Sequence, residues 1–189
     1  MPDEIVDRPL NDEEKRVLLS IARTAIEEAV GDLKVDKVPY DSPIFHEKRG
    51  AFVTLHNKGA LRGCIGFIFA VKPLVETVRE MAVAAALRDP RFTPVDISEL
   101  PALDIEISVL TPLREIQDIN EIKVGEHGLY VQKGHNTGLL LPQVASEYNW
   151  DRETFLQQTC RKAGLPQDAW HDESTTIKIF SAQVFGEKQ

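Results

Sequence analysis

Cysteine is nearly absent from this chain: 189 residues hold two, Cys64 and Cys160. A small secreted scaffold stapled by disulfides needs many more, and a structural zinc site needs closely spaced ligands. Long apolar runs are also missing. A stretch such as Ala82 to Leu87 falls far short of the roughly 20 residues that span a bilayer. The first residues, Met1-Pro2-Asp3-Glu4, are acidic where a secretion signal would be basic. A cytoplasmic protein with no membrane association is the expectation. The five histidines form no HExxH, and GxGxxG, GxSxG and a phosphate loop ending in Lys-Ser/Thr do not occur. No metal and no cofactor is expected on these grounds, and no internal repeat is visible.

What is present is globular. Hydrophobic residues make up 42% and charged residues 28%, at a length that suits one domain. The net charge is −8, but residues 46–91 carry eight basic and four acidic side chains, so this segment is +4 and the remainder −12. An acidic chain of this kind is a poor general nucleic-acid binder, because affinity for phosphates scales with paired cations. Its basic segment suits a small anionic ligand or an acidic partner patch.

Residues 1–10 read as a loose arm. Asn11 and Glu14 have capping-box spacing, Val17 to Ala29 carries an apolar stripe at helical period, and Gly31 is a stop. Residues 38–43 read as a loop. Residues 51–69 read as a hairpin, and Pro73 opens a helix that Asp89-Pro90 ends. Residues 103–110 alternate as a strand. Strands are also expected over 129–132, 139–141 and 176–185, with helices from Pro142 and from Asp151 to Gly164. Trp150, Phe155 and Trp170 suit a satellite core. Hairpins among helices predict an α+β fold with a mostly antiparallel sheet flanked by helices.

The second hairpin strand is unusual. Leu61, Gly63, Ile65, Phe67 and Phe69 alternate onto one apolar face, which leaves Arg62 and Cys64 on the other. Matching faces predicts pairs Leu55/Leu61, Thr54/Arg62 and Phe52/Cys64. In residues 103–110, Asp104, Glu106 and Ser108 share the polar face. One sheet face would then gather Thr54, Arg62, Cys64, Glu106 and Ser108. Gly63 and Gly66 bracket the thiol, and glycine inside a strand marks a bulge or a close approach by backbone or ligand. A guanidinium at Arg62 beside Cys64 would favour the thiolate. Packing explains the same residues, with Cys64 as a small hydrophobe and the glycines admitting a helix. Asp89-Pro90-Arg91-Phe92 reads either as a recognition loop or as a helix terminator with Phe92 plugging the core.

Leu61-Arg62-Gly63-Cys64-Ile65-Gly66 resembles the signature of the AMMECR domain family, which is named after a human chromosomal-deletion region and is found also in archaea and bacteria. Residues 89–94, 103–110, 138–145 and 162–165 are similar in the same order, and the resemblance covers roughly residues 11–185. It implies an α+β domain whose larger part uses both chain ends, about 11–112 with 172–185, and whose smaller part is about 113–171. It also implies a three-component set with a MEMO-type protein, similar in fold to extradiol dioxygenases, and a radical SAM enzyme. No settled activity comes with it.

Two functions follow as expectations. One is an accessory module that holds a ligand or partner through Gly63, Gly66, Thr54, Asp89, Arg91 and Phe92 around the Cys64 face. The other is an enzyme with Cys64 as nucleophile, Arg62 lowering its pKa, and Glu106 or a histidine moving the proton.

Overall fold

The computed structural model describes residues 8–31 and 39–188. The chain divides into two compact units, Met1–Leu110 with Gln183–Gln189, and Thr111–Ala182. Residues 172–182, expected with the larger part, therefore cluster with the second unit.

In the first unit, helix α1 (Asp12–Gly31) starts at the expected capping box. Asn11 Oδ1 accepts the Glu14 N–H at 2.9 Å, and the Glu14 carboxylate accepts the Asn11 N–H at 2.9 Å. Of the expected arm, residues 1–7 lie outside the described residues, and 8–10 are not loose. Arg8 grips Glu14 at 2.7 and 2.8 Å, and Leu10 is buried in the core. The Arg8 guanidinium is the main cause that holds the Glu14 carboxyl at about 2, with Ser42 and the cap adding to it. Of the expected loop, residue 38 lies outside the described residues, and Pro43–His46 forms a 3-10 turn.

Helix α2 (Leu74–Leu87) follows Pro73 and buries Leu74, Val78, Met81, Ala82 and Ala85, which recur at helical period. Both helices share one core with the buried face of three antiparallel strands, β1 (Ala51–Asn57), β2 (Ala60–Phe67) and β3 (Leu103–Leu110). Val53, Leu55, Ile105 and Ile107 are fully buried there. Each such side chain contributes about 1.5–3 kcal/mol of burial free energy. The order β2-β1-β3 leaves β2 at the edge.

The hairpin register differs from the expected one. Lys58 and Gly59 both have positive φ, 52° and 83°, and form a two-residue turn that pairs Asn57 with Ala60 and His56 with Leu61. Continued unbroken, that register would set Leu55 against Arg62 and turn the guanidinium into the core. A bulge takes up Arg62 instead, so Leu55 faces Gly63, Val53 faces Ile65 and Thr54 faces Cys64. The division into faces holds for residues 63–66, but the apolar face is not buried along its whole length. Phe67 and Phe69 are exposed, and Leu61, on the far side of the bulge, pairs with His56 and falls on the opposite face.

The second unit contains β4 (Arg114–Ile116), β5 (His127–Lys133), β6 (Asn136–Leu140), α3 (Pro142–Glu147) and α4 (Arg152–Lys162). It also takes β7 (Thr176–Gly186) as far as residue 182. All its strand pairs are antiparallel: β4 and β5 each pair β7, and β6 pairs β5. Asp151 caps α4 by accepting the Thr154 N–H at 2.8 Å. Leu129, Val131, Phe155, Leu156 and Ile179 form its core, with Trp150 and Trp170 packed against it as the sequence suggested. The short β4 and the 3-10 turns Ile119–Glu121 and Ala169–His171 were not anticipated, since three residues show no period. The architecture is α+β. Among the described residues no helix is long and apolar enough to cross a membrane.

Candidate functional site

Three rows of side chains cross the sheet face opposite the helices, in the order set by the strand pairing. Leu61 on β2, His56 on β1 and Asp104 on β3 form the first row. Cys64, Thr54 and Glu106 form the second, and Gly66, Phe52 and Ser108 the third. The expected gathering of Thr54, Cys64, Glu106 and Ser108 on one face is therefore observed. Asp104 lies on the same face, as the alternation of residues 103–110 implied, and His56 joins it; its alternation with Leu55 would have revealed it.

Cys64 is a free, half-buried thiol, and it accepts a hydrogen bond from the Thr54 hydroxyl at 3.2 Å. Cys160, the other free cysteine, is buried in the second unit, where burial pushes its thiol pKa up. Glu106 lies two strands from Cys64, about 10 Å at the backbone for strands ~4.8 Å apart. It does not touch the sulfur directly.

Arg62 is not the cation at Cys64, and this corrects the expected role. Its guanidinium makes a two-point bond to Glu99 at 2.7 and 2.8 Å and donates to the Thr93 carbonyl at 2.9 Å. The bulge that keeps Arg62 out of the core turns it toward the residue 93–99 segment. Glu99 has its own reason to be there. It closes a capping box with Asp96 on the 3-10 turn Ile97–Ala102, a spacing legible in the sequence but not singled out. Arg62 is the first cause that holds the Glu99 carboxyl at about 2.

The cation near Cys64 is Arg91. Asp89 Oδ2 accepts the Cys64 backbone N–H at 2.8 Å, and the Arg91 guanidinium donates to the Cys64 carbonyl at 3.3 Å. Arg91 also holds Asp89 at 2.7 and 3.0 Å. That bond is the main cause that keeps the Asp89 carboxyl far below the usual range, against the opposing effect of burial. On an edge strand, the outward N–H and C=O of Cys64 would meet a neighbouring strand in a larger sheet. Here a carboxylate and a guanidinium take those two positions. Phe92 is half-buried, with the Arg91 guanidinium carbon 5.5 Å from its ring centroid. The Asp-Pro-Arg-Phe loop and the Cys64 strand thus form one clasp.

Neither bracketing glycine faces open space. A Cβ on Gly63 would sit 2.2 Å from the Ala85 carbonyl oxygen of α2. One on Gly66 would sit 2.0 Å from the Phe52 ring. The expected ligand approach at these two residues is filled by the protein itself, from opposite faces of β2.

The basic segment is partly neutralised. Arg49 pairs with Glu47, Arg62 with Glu99, Lys72 with Glu80 and Arg91 with Asp89. Among the described residues no trio of His, Cys, Asp or Glu is placed to hold a metal ion. In the second unit an open depression of about 500 Å³ is lined by Lys133, Asp168, His171, Asp172 and Glu173. None of the residues singled out from the sequence lines it.

Comparison with known proteins adds the family. The AMMECR1 family profile matches residues 19–185. A protein of Methanothermobacter thermautotrophicus is 48% identical over 186 residues, covering 95% of this chain and 97% of that one. A Thermococcus kodakarensis protein is 47% identical over 190 residues, covering 95% and 93%. The crystal structure of the uncharacterized protein PH0010 from Pyrococcus horikoshii is similar to this one with a TM-score of 0.81 at 44% identity, covering 95% of this chain and 94% of that one.

Proposed function

This chain belongs to the AMMECR1 family, and on that premise we propose that it is a partner-binding accessory component acting with a MEMO-type protein and a radical SAM enzyme. One observation carries the reading. The strong charges near Cys64 are committed to the protein's own scaffold, while the thiol, Thr54, His56 and Glu106 stay half-buried on a shared face. Arg62, Asp89 and Arg91 hold a surface in shape and leave no ready acid–base pair on the sulfur. That suits recognition better than turnover. The ion pairing of half the basic segment also favours a protein partner over a small anion. Co-elution of the full chain with the MEMO-type and radical SAM proteins of its own organism is the test. A complex weakened by Glu106→Lys at unchanged thermal stability supports the reading. No complex in any combination defeats it.

A second reading, a Cys-dependent modification enzyme, is favoured by the half-exposed thiol with a hydroxyl donor at 3.2 Å. Full function of Cys64→Ala in the source organism would remove it.

A further inference from the structure

The row Cys64–Thr54–Glu106 holds one hydroxyl proton, and the sulfur takes it. Thr54 stands in the middle, opposite Cys64 on β2 and opposite Glu106 on β3. A hydroxyl has a single hydrogen to donate, and this one goes to Cys64 Sγ at 3.2 Å. Glu106 therefore receives nothing from its neighbour on β1. Among the described residues its carboxylate accepts no hydrogen bond and pairs with no cation.

The acids around it are matched. Arg91 holds Asp89, Arg62 holds Glu99, and Lys188 stands 3.5 Å from Asp104, two residues along β3 on the same face. Those cations are committed, and none of the described ones lies within ion-pair distance of Glu106. Glu106 is half-buried, so its charge is partly removed from water. A carboxylate in that position gains from a cation that arrives with its own hydrogen-bond donors.

We propose that Glu106 and Thr54 form a subsite for the guanidinium of an arginine carried by a protein partner. Arginine fits this row better than lysine. Its planar fork sets two parallel N–H groups on one carboxylate. A remaining N–H reaches the Thr54 hydroxyl oxygen, whose lone pairs stay free while its proton points at the sulfur. Side chains directly opposed across two strands have Cβ atoms about 4.5–5.5 Å apart, within the span of one guanidinium and its two acceptors. The chain's net charge of −8 favours the approach of a cation. The inference rests on the reading of the chain as a partner-binding component and names the chemistry its polar face recognises.

The probe is the blocked tripeptide acetyl-Gly-Arg-Gly-amide, titrated into the isotopically labelled full chain at low salt and followed by NMR. Saturating shifts are expected at Thr54, Cys64 and Glu106 in the millimolar range, as for a single side chain. Alkylation of Cys64, in the same row, should slow as the peptide binds. The lysine tripeptide should bind several-fold more weakly, and the uncharged citrulline tripeptide about tenfold more weakly or worse. Glu106→Gln should lose about tenfold or more. Its circular dichroism checks the fold. Glu153→Gln removes the same charge from an exposed position on α4 and should bind as the wild type does. No saturating shift in this row by roughly 50 mM, or equal binding by Glu106→Gln or by the citrulline tripeptide, overturns the proposal. A preference for lysine overturns the guanidinium assignment. Binding of free arginine without binding of the tripeptide overturns the choice of a protein as its source. If the tripeptide fails while the complex above still forms and responds to Glu106→Lys, only the arginine subsite falls. If the tripeptide binds and no complex forms, the subsite stands and the named partners fall.

Discussion

Asp89 accepts the backbone N–H of Cys64 at 2.8 Å, across 25 residues of sequence. This bond joins the loop after α2 to the middle of β2. Arg91 completes it from the other side of the same peptide group pair, and the buried carboxylate is satisfied by four donors in all. Asp89→Asn would keep the shape but lose the charge that holds Arg91. The expected outcome is faster amide exchange at Cys64 and a loss of about 1.5–3 kcal/mol, the range for hydrogen bonds to charged groups. Unchanged exchange at that amide would show that the clasp does not hold the strand.

The two glycines should respond differently to alanine. Gly63→Ala drives a methyl into a helix carbonyl at 2.2 Å, and helix backbone gives way poorly. A loss of about 1–3 kcal/mol is expected, as for overpacking in general. Gly66→Ala meets only the Phe52 ring. Its cost should shrink in the double variant with Phe52→Ala, which opens the space. Chemical denaturation of the four proteins measures the coupling, and additive effects would mean that the ring does not set the limit.

Acid should loosen the 93–99 segment before the core. Glu99 binds Arg62 and sits at about 2, below its ordinary 4.5. A carboxyl depressed on folding contributes stability that is complete above the unfolded value and is lost as pH falls through the folded one. The pair therefore contributes fully above about pH 5 and fades toward pH 2. Glu99→Gln should flatten this part of the stability–pH curve. A variant curve parallel to the wild type would contradict the role given to Arg62.

The two thiols should be distinguishable in the native protein. Iodoacetamide at pH 8 should label half-buried Cys64 and leave Cys160, buried in the second core, until the chain unfolds. Thr54→Val removes the hydroxyl at 3.2 Å from the sulfur and should change the rate at Cys64 alone. Equal rates for both cysteines in the folded protein would rule out this accessibility difference.

Local pattern made much of this molecule legible. The Asn11–Glu14 capping box, the apolar stripes of α1 and α2 and the alternation of β3 each depend on neighbours within a few residues. The polar face was legible for the same reason, since alternation alone puts Cys64 and Glu106 on the side away from Ile65 and Ile105. Register was not. It depended on the bulge at Arg62, and a bulge arises from competition between turn geometry and burial, which face-matching over single residues does not weigh.

The sequence by itself determined the α+β class and the order of the longer elements, because hydrophobic period, caps and turn residues act over short range, and its motifs carried the family resemblance. Tertiary structure alone decided what Arg62 and the Cys64 backbone bind. Arg62 meets a carboxylate 37 residues away and Cys64 meets one 25 residues away. A side chain's partner is set by which distant segments the packed core brings together, and nothing in the local pattern around Arg62 names Glu99.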